Sequence, residues 1–476
     1  MLINPVGFSD PSGSGLNIGL GYLASSLITY GCEVRVLDFE NLNVNRNERL
    51  NSALLWKPNL IGVTCTTFSV KDAIKIIKYC RKHYSCFYIA GGPHVTMNPK
   101  VFMEKHKDLF DCIAVGESDQ TILEIVNIIR TGGDFKEIRG IAYFEKGEVV
   151  ITKRELIADL DRLPFPNYHV FDSVNGNIET YPIITERGCP YGCVFCLSSH
   201  IWKRRWRART PENVIAEIKH AVLEYGFKTL SILDDNFTLP SACAKNRAKK
   251  ICDLIIAENL ELNIILPNGV RADSIDEELL QKLKLAGCSF MMVGVEDVAA
   301  DTINKVGKGE SQSVIKEAVQ MIKKVGIKVE CSMVIGLIDA TFETTIQSVQ
   351  FLEDLGIKGH WVIAVPFPNT ALYSWVNANG RFLLDVNEGL DLCMVMFPPP
   401  VPFDTLEFTK DERIEVFALA NIKSKNYSFL FNHRESFFKK TKRLLFFAWK
   451  YDRGKFLNHL LGISVQMLRE VMWGVG

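Results

Sequence analysis

The stretch 185–200, TERGCPYGCVFCLSSH, gathers three thiols within eight residues, at Cys189, Cys193 and Cys196. Thiols this close are metal ligands or redox partners in waiting. A structural zinc site closes with four ligands, and the local fourth candidate is His200, four residues beyond Cys196. An iron–sulfur cubane also ordinarily takes four cysteines. With three, one iron keeps an open position able to bind a substrate. Spacing alone leaves both readings standing.

The elements that must position these thiols follow from periodicity. From about residue 180 to about 375, strand-like and helix-like segments alternate: YPIITER, PENVIAEIKHAVLEYG, KTLSILDDN, LNIILPNGVRAD, SFMMVGVED and KVECSMVIGL among them. About six such units predict a closed or partial parallel barrel, a (β/α)6 version of the TIM type, with chemistry at the carboxyl ends of its strands. Cys189, Asp234, Asp235, Asn236, Asn268, Arg271, Glu296 and Ser332 fall at those ends. An apolar rim would have predicted no site there.

The first ~150 residues alternate in the same way and predict an α/β, doubly wound Rossmann-like sheet, whose ligands bind beyond the strands' carboxyl ends. Its strand-end loops carry Ser12, Gly13, Ser14 and Gly15, then Thr64, Thr66 and Thr67, then Gly91, Gly92, Pro93 and His94, then Gly116, Glu117 and Ser118. Small residues let backbone N–H groups approach a phosphate or amide closely. A dinucleotide fingerprint fails, because Ile18 stands where the third glycine is required. The bland alternative is that these glycines only make tight turns. The resulting division is 1–155, a Pro-interrupted linker at 156–180, the barrel at 181–375, and a mainly helical segment at 376–476, in which the proline-rich hinge FPPPVPFD at 397–404 separates the basic end from the barrel.

Composition sets the outer bounds. The 476-residue chain has a formal net charge of zero, which points away from a nucleic-acid partner. Its first residues, MLINPVGFSD, lack the basic and apolar regions of a signal peptide, and no apolar run approaches the ~20 residues of a membrane span. Thirteen cysteines without a secretion signal read as free thiols and ligands in a cytoplasmic protein. The basic run WKRRWRAR at 202–209 reads either as a wall of the site, with Arg207 or Arg209 near an acidic group of substrate or cofactor, or as a solvated connection. From Asn421 to Gly476 there are eleven Lys/Arg against three Asp/Glu, interleaved with aromatics. That segment is either a helical cap or a surface for peripheral contact with anionic lipid.

CPYGCVFC resembles the C-x3-C-x-(aromatic)-C signature of the radical S-adenosylmethionine enzymes. The resemblance implies a [4Fe-4S] cluster on Cys189, Cys193 and Cys196 whose open iron chelates S-adenosylmethionine. One electron from an external carrier of the flavodoxin or ferredoxin type would cleave it, and the 5′-deoxyadenosyl radical so released would abstract hydrogen from a substrate. By the same resemblance Phe195 lies near the adenine and Asp234 and Asp235 near the amino group. Glu296 and Ser332 face the ribose and methionine parts, with Asn268 and Arg271 on the same rim. The alternative for the acids is burial against backbone N–H groups.

GGPH at 91–94, VGES at 115–118 and LDRLPFPN resemble the subgroup with a cobalamin-binding domain before the barrel. No D-x-H-x-x-G string occurs, so His94 reads as a turn residue rather than a cobalt ligand. The resemblance implies cobalamin-dependent methylation of an unactivated carbon, or of phosphinate phosphorus, in a small-molecule, natural-product or lipid substrate. Ring formation or oxidation without methyl transfer is the alternative, and a non-catalytic cobalamin or redox sensor is a third reading of another class. A methylthiotransferase would need a second cysteine triad, whereas Cys32, Cys65, Cys80, Cys86 and Cys112 read as small buried residues. No catalytic acid or base is singled out.

Overall fold

The computed structural model describes residues 1–7, 15–40, 45–390 and 399–424. Ser12, Gly13 and Ser14, and the basic, aromatic-rich segment from residue 425 onward, lie outside the described residues. Among the described residues no helix is long and apolar enough to cross a membrane.

Two sheets carry the molecule. The first runs β1 (Leu2–Asn4), β2 (Val36–Asp38), β3 (Leu60–Thr64), β4 (Phe87–Gly91) and β5 (Cys112–Ala114), all parallel, in the spatial order 2-1-3-4-5. The strand order reverses between β1 and β3, and that switch point is where an open parallel sheet offers its crevice. An antiparallel hairpin of β6 (Ile141–Glu145) and β7 (Glu148–Ile151) extends the sheet beyond β5. Its turn holds Lys146 and Gly147 at φ 50° and 91°, the left-handed pair that suits a tight hairpin.

The second sheet is parallel throughout: β8 (Thr180–Ile183), then β11 (Thr229–Ile232), β12 (Asn263–Val270), β13 (Cys288–Glu296), β14 (Lys328–Ile335) and β15 (Lys358–Ile363). Its first and last strands do not pair with each other, so it is the expected partial (β/α)6 barrel. Ser and Thr caps start the barrel helices: Thr210 accepts from the N–H of Asn213, Ser241 from Ala244 and Thr341 from Thr344. The helix Lys410–Lys423 runs beside β15, and Gly359 N–H and Trp361 Nε1 donate to Ser424 Oγ just beyond it, each at 3.1 Å. Residues 156–180 form a structured strap rather than a loose tether. Tyr168 and Phe171 are buried, and Val36 N–H donates to the carbonyl of Val170 at 2.8 Å.

Two very short strands complete the picture. β9 (Glu186–Arg187) and β10 (Arg207–Ala208) pair antiparallel, with Arg187 opposite Arg207, and close the loop that carries the cysteines. At its start Gly188 adopts φ 98°, and a Cβ there would lie 2.1 Å from the carbonyl oxygen of Arg205. Only glycine fits.

Both arginines reach across to acids beyond β5. Arg187 Nη1 donates to Glu117 Oε1 and Asp119 Oδ2, each at 2.9 Å, and Arg207 Nη1 donates to Glu117 Oε2 at 2.8 Å. Burial opposes the charge of Arg187, but Asp119 and Glu117 more than offset it and raise its pKa. Arg209 pairs with Glu217, and its Nε donates to Asn213 Oδ1 at 2.7 Å. The expectation that Arg207 or Arg209 meets a substrate acid is therefore corrected: the chain's own carboxylates take both.

Removing one partner of a buried, hydrogen-bonded ion pair costs about 3–5 kcal/mol. Arg187→Met should lower unfolding stability by that order, read as a shift of the denaturant midpoint. A loss below about 1 kcal/mol would mean that other contacts hold the two sheets together.

Candidate functional site: two chambers with a common wall

The carboxyl ends of the two sheets face each other, and two cavities open there. A crevice of about 460 Å³ lies over the β1/β3 switch point, and a second chamber of about 380 Å³ sits in the mouth of the barrel.

The barrel chamber is lined by Cys189, Cys193 and Cys196 together with Phe195, Asn268, Arg271, Glu296 and Ser332. Cys189, Asn268, Arg271, Glu296 and Ser332 are expected at strand ends and Cys193, Phe195 and Cys196 in the loop after the first strand, and the fold brings them to one cavity. His200 is exposed and does not line it, which removes the local fourth zinc ligand. Among the described residues no three or more His, Cys, Asp or Glu are set to grip a single metal ion. Three thiols facing one chamber without closing on one point suit a wider cluster. Burial pushes all three thiols up, to about 11 at Cys189 and about 12 at Cys196. A bound cation is what would favour thiolates there.

Glu296 ends β13 at φ 70°, beyond a shift in strand register at Gly294. Lys308, which the sequence reading missed, explains why a non-glycine residue is held in that region. Its ammonium donates to Glu296 Oε1 at 2.9 Å and to the Gly294 carbonyl at 2.7 Å, and it lies 3.7 Å from Glu310. Burial works against this charge, yet Glu296 and Glu310 raise its pKa on balance. The segment KVGKGE shows only a lysine between two glycines, a weak signal. Tyr191 was missed as well: the Arg271 guanidinium stacks 3.9 Å from its ring centroid while pairing with Asp273.

The two aspartates of LDDN separate. Asp234 does not face the chamber. It accepts from the Thr185 N–H at 2.6 Å and from the Thr185 hydroxyl, so it is the buried acid of the alternative reading. Burial raises its pKa to about 6 against the opposing effects of Arg247 and these hydrogen bonds. Asp235 borders both chambers. It accepts from the Gly188 N–H at 3.0 Å, and its pKa is raised by confinement, with Ser198, Gly188 and Trp202 opposing. Its accessible surface opens onto the cavities.

The crevice is lined by Thr64, Gly91, Gly92, Pro93, Gly116, Glu117 and Ser118 from the first sheet. Leu197, Ser198, Ile201 and Trp202, directly after the last cysteine, form the opposite side. Four expected residues fall elsewhere. Thr66, Thr67 and His94 do not line the crevice, because β3 runs into a turn where Thr66 and Ser69 cap one another. The Thr67 carbonyl instead accepts from Leu390 N–H at 2.7 Å. Gly15 is described but does not line the crevice either.

Residues 183–368 match the family model for the radical S-adenosylmethionine superfamily, and residues 8–126 match that for the B12 binding domain. A protein of Pyrococcus horikoshii named as an uncharacterized methyltransferase is 31% identical over 376 residues, covering 78% of this chain and 80% of that protein. The chain belongs to the cobalamin-binding radical S-adenosylmethionine enzymes. An anaerobic magnesium-protoporphyrin IX monomethyl ester cyclase of Rubrivivax gelatinosus is 26% identical over 74% of this chain and 65% of its own length. Among solved structures, the cobalamin-dependent enzyme OxsB shares the fold at a TM-score of 0.70 and 17% identity, covering 97% of this chain and 71% of that one. The methyltransferase TsrM of Kitasatospora setae does so at 0.65 and 19%, covering 78% and 76%.

As a member of this family the protein is an enzyme that uses a [4Fe-4S] cluster, S-adenosylmethionine and cobalamin, acts on a small molecule and needs a reductant. The residues present fit these groups. Three thiols and an acid–lysine cluster line one chamber, and an apolar crevice with glycine at its strand ends forms the other. Among the described residues no second cysteine triad is assembled: Cys65 and Cys80 sit in one apolar core and Cys112 in another. His94 is buried, with Nδ1 3.2 Å from Thr67 Oγ1, and does not line the crevice.

Burial lowers the His94 pKa from 6.5 to about 4, with the Asn387 backbone opposing. The unfolded chain then takes up a proton that the folded chain refuses. Stability from this residue is present above 6.5 and is lost as pH falls toward 4, by on the order of 3 kcal/mol. His94→Gln should flatten the fall in urea midpoint between pH 6.5 and 4. An unchanged slope would assign the acid sensitivity to other groups.

Proposed function

We propose that this enzyme methylates an unactivated carbon, or phosphinate phosphorus, of a small substrate held between the two chambers. The observation that carries the reading is the single wall, Asp235, that the chambers share. Methyl transfer to an unreactive position needs a hydrogen-abstracting centre and a methyl donor at one substrate, and a common wall brings the two sites that close. Relatives favour it: besides the Pyrococcus protein, a cytidylyl-2-hydroxyethylphosphonate methyltransferase of Streptomyces wedmorensis is 22% identical over 67% of this chain.

On this proposal Cys189, Cys193 and Cys196 hold the cluster. Phe195, Asn268, Arg271, Glu296 and Ser332 contact S-adenosylmethionine. Thr64, Gly91 to Pro93, Gly116 and Ser118 line the cobalamin. Bound there, these groups would supply homolysis of a carbon–sulfur bond and a transferable methyl. The protein's part is positioning. Lys308 fixes Glu296, Asp273 fixes Arg271, and the arginine ladder fixes the cysteine loop.

Replacing any one of the three cysteines by Ala should abolish bound iron and acid-labile sulfide, along with reductive cleavage of S-adenosylmethionine. Retention of stoichiometric zinc without iron in the anaerobically purified protein would sink the cluster assignment. Substrate extract incubated with methyl-labelled S-adenosylmethionine should yield a product heavier by one labelled CH2. The cyclase named among the relatives supports a second reading, ring closure, which would give a product lighter by hydrogen and unlabelled. Reduced protein that yields no 5′-deoxyadenosine at all would leave a sensor.

Composition also favours contact of the 421–476 segment with an anionic membrane, each basic residue adding roughly 1 kcal/mol near the surface. Sedimentation with anionic vesicles at low salt should show binding that high salt removes. Equal binding to neutral vesicles would leave a helical cap.

A further inference from the structure

The run at 202–209 divides in the fold. Arg207 and Arg209 turn inward to Glu117 and Glu217. Lys203, Arg204 and Arg205 are exposed and form a knuckle seven to nine residues beyond Cys196. The knuckle ends the short helix Ser198–Ile201, with Arg204 N–H donating to the Ser199 carbonyl at 3.1 Å and Arg205 N–H to Trp202 at 2.9 Å.

Three features set this knuckle apart from an ordinary solvated surface. Lys203 and Arg204 are consecutive non-glycine residues at φ 53° and 55°, a region that disfavours any residue with a Cβ. The Arg204 guanidinium lies across Gly192, between Cys189 and Cys193, where a Cβ would come within 2.6 Å of Nη2. The cationic surface is thus in contact with the backbone of the cysteine loop itself. Glu155 is the acid that approaches, 3.8 Å from Lys203 and 3.9 Å from Arg205, and it is 80% exposed. One carboxylate near the limit of ion pairing leaves three cations with a net positive field.

The cluster needs an electron from outside, and the inner side of its loop faces the chamber. We infer that the Lys203–Arg204–Arg205 knuckle is the docking surface for an acidic one-electron carrier protein, an inference that rests on the cluster assignment above. One electron leaves the carrier and reduces the cluster by one. No bond forms or breaks. A nucleic acid would also meet cations, but the zero net charge of the whole chain gives it no extended field, whereas a carrier needs only this contact next to the cluster.

The test uses the full-length, cluster-loaded protein and follows bleaching of the cluster absorbance after rapid anaerobic mixing. The reductants are a purified acidic flavodoxin in its hydroquinone state and, separately, dithionite. Electrostatic steering raises association rates by about 10- to 1,000-fold and falls with salt. The triple substitution K203E/R204E/R205E should slow reduction by flavodoxin at least about tenfold at low salt, with the difference closing at high salt. K203Q/R205Q, which leaves Arg204 on Gly192, should show a smaller loss in the same direction. Dithionite should reduce all three proteins at one rate. Equal flavodoxin rates in wild type and both variants would overturn the docking surface. So would flavodoxin rates that stay equal while the triple variant alone loses binding to single-stranded RNA, which would assign the knuckle to nucleic acid. Failure of dithionite to reduce wild type would bring down the cluster assignment and this inference with it.

Discussion

Arg187 and Arg207 stand side by side on a two-residue ladder and share Glu117, with Asp119 beside it. Like charges placed together in a buried site repel, so this arrangement is tolerable only because the acids of the other sheet answer it. Glu117 also accepts from the Ile157 N–H at 2.8 Å, which ties the strap into the same network. The position of the cysteine loop, the gap between the sheets and the path of the linker therefore rest on one buried charge cluster. Taking these charges out of water has a cost of its own, which their pairing only partly offsets. Position, rather than stability, is what the protein gains from the network.

The barrel chamber is built on the same logic. Lys308 lies between Glu296 and Glu310, and Arg271 lies between Asp273 and the Tyr191 ring. Glu296 and Arg271, which face the cavity, are each fixed by a second charged group that does not need the ligand. A buried polar array of this kind strengthens interactions with whatever enters, since the surroundings screen little. The left-handed backbone at Glu296 belongs to the same economy, as local strain persists where neighbours over-determine a position.

The fold was legible because most barrel units state themselves: an apolar run, polar residues near its carboxyl end, then a Ser, Thr or Asp cap opening the helix. The cysteines were legible because metal ligation needs short-range spacing, which a one-dimensional string preserves. Much of the rest depends on side-chain direction, which the string does not carry. Asp234 and Asp235 are neighbours in sequence, yet one closes a backbone turn and the other borders both cavities. Thr64 lines the crevice while Thr66 and Thr67, two and three residues on, have rounded a corner. Lys308 and Glu117 act through partners 12 and 70 residues away, Glu296 and Arg187, and no local pattern announces such a pairing. The hairpin at 141–151 carries only a weak local signal, a Lys-Gly turn between two short strands.

Directly after Cys196, the chain turns outward and lays Leu197, Ser198, Ile201 and Trp202 along the far side of the crevice. One short segment thus has the thiols of one chamber at its start and the wall of the other at its end. Until the loop is pinned, the crevice lacks a side. On the assignment proposed above, settling the cysteine loop would finish the receptacle for the corrinoid, and an enzyme that lost its cluster to oxygen would loosen its hold on the second cofactor too.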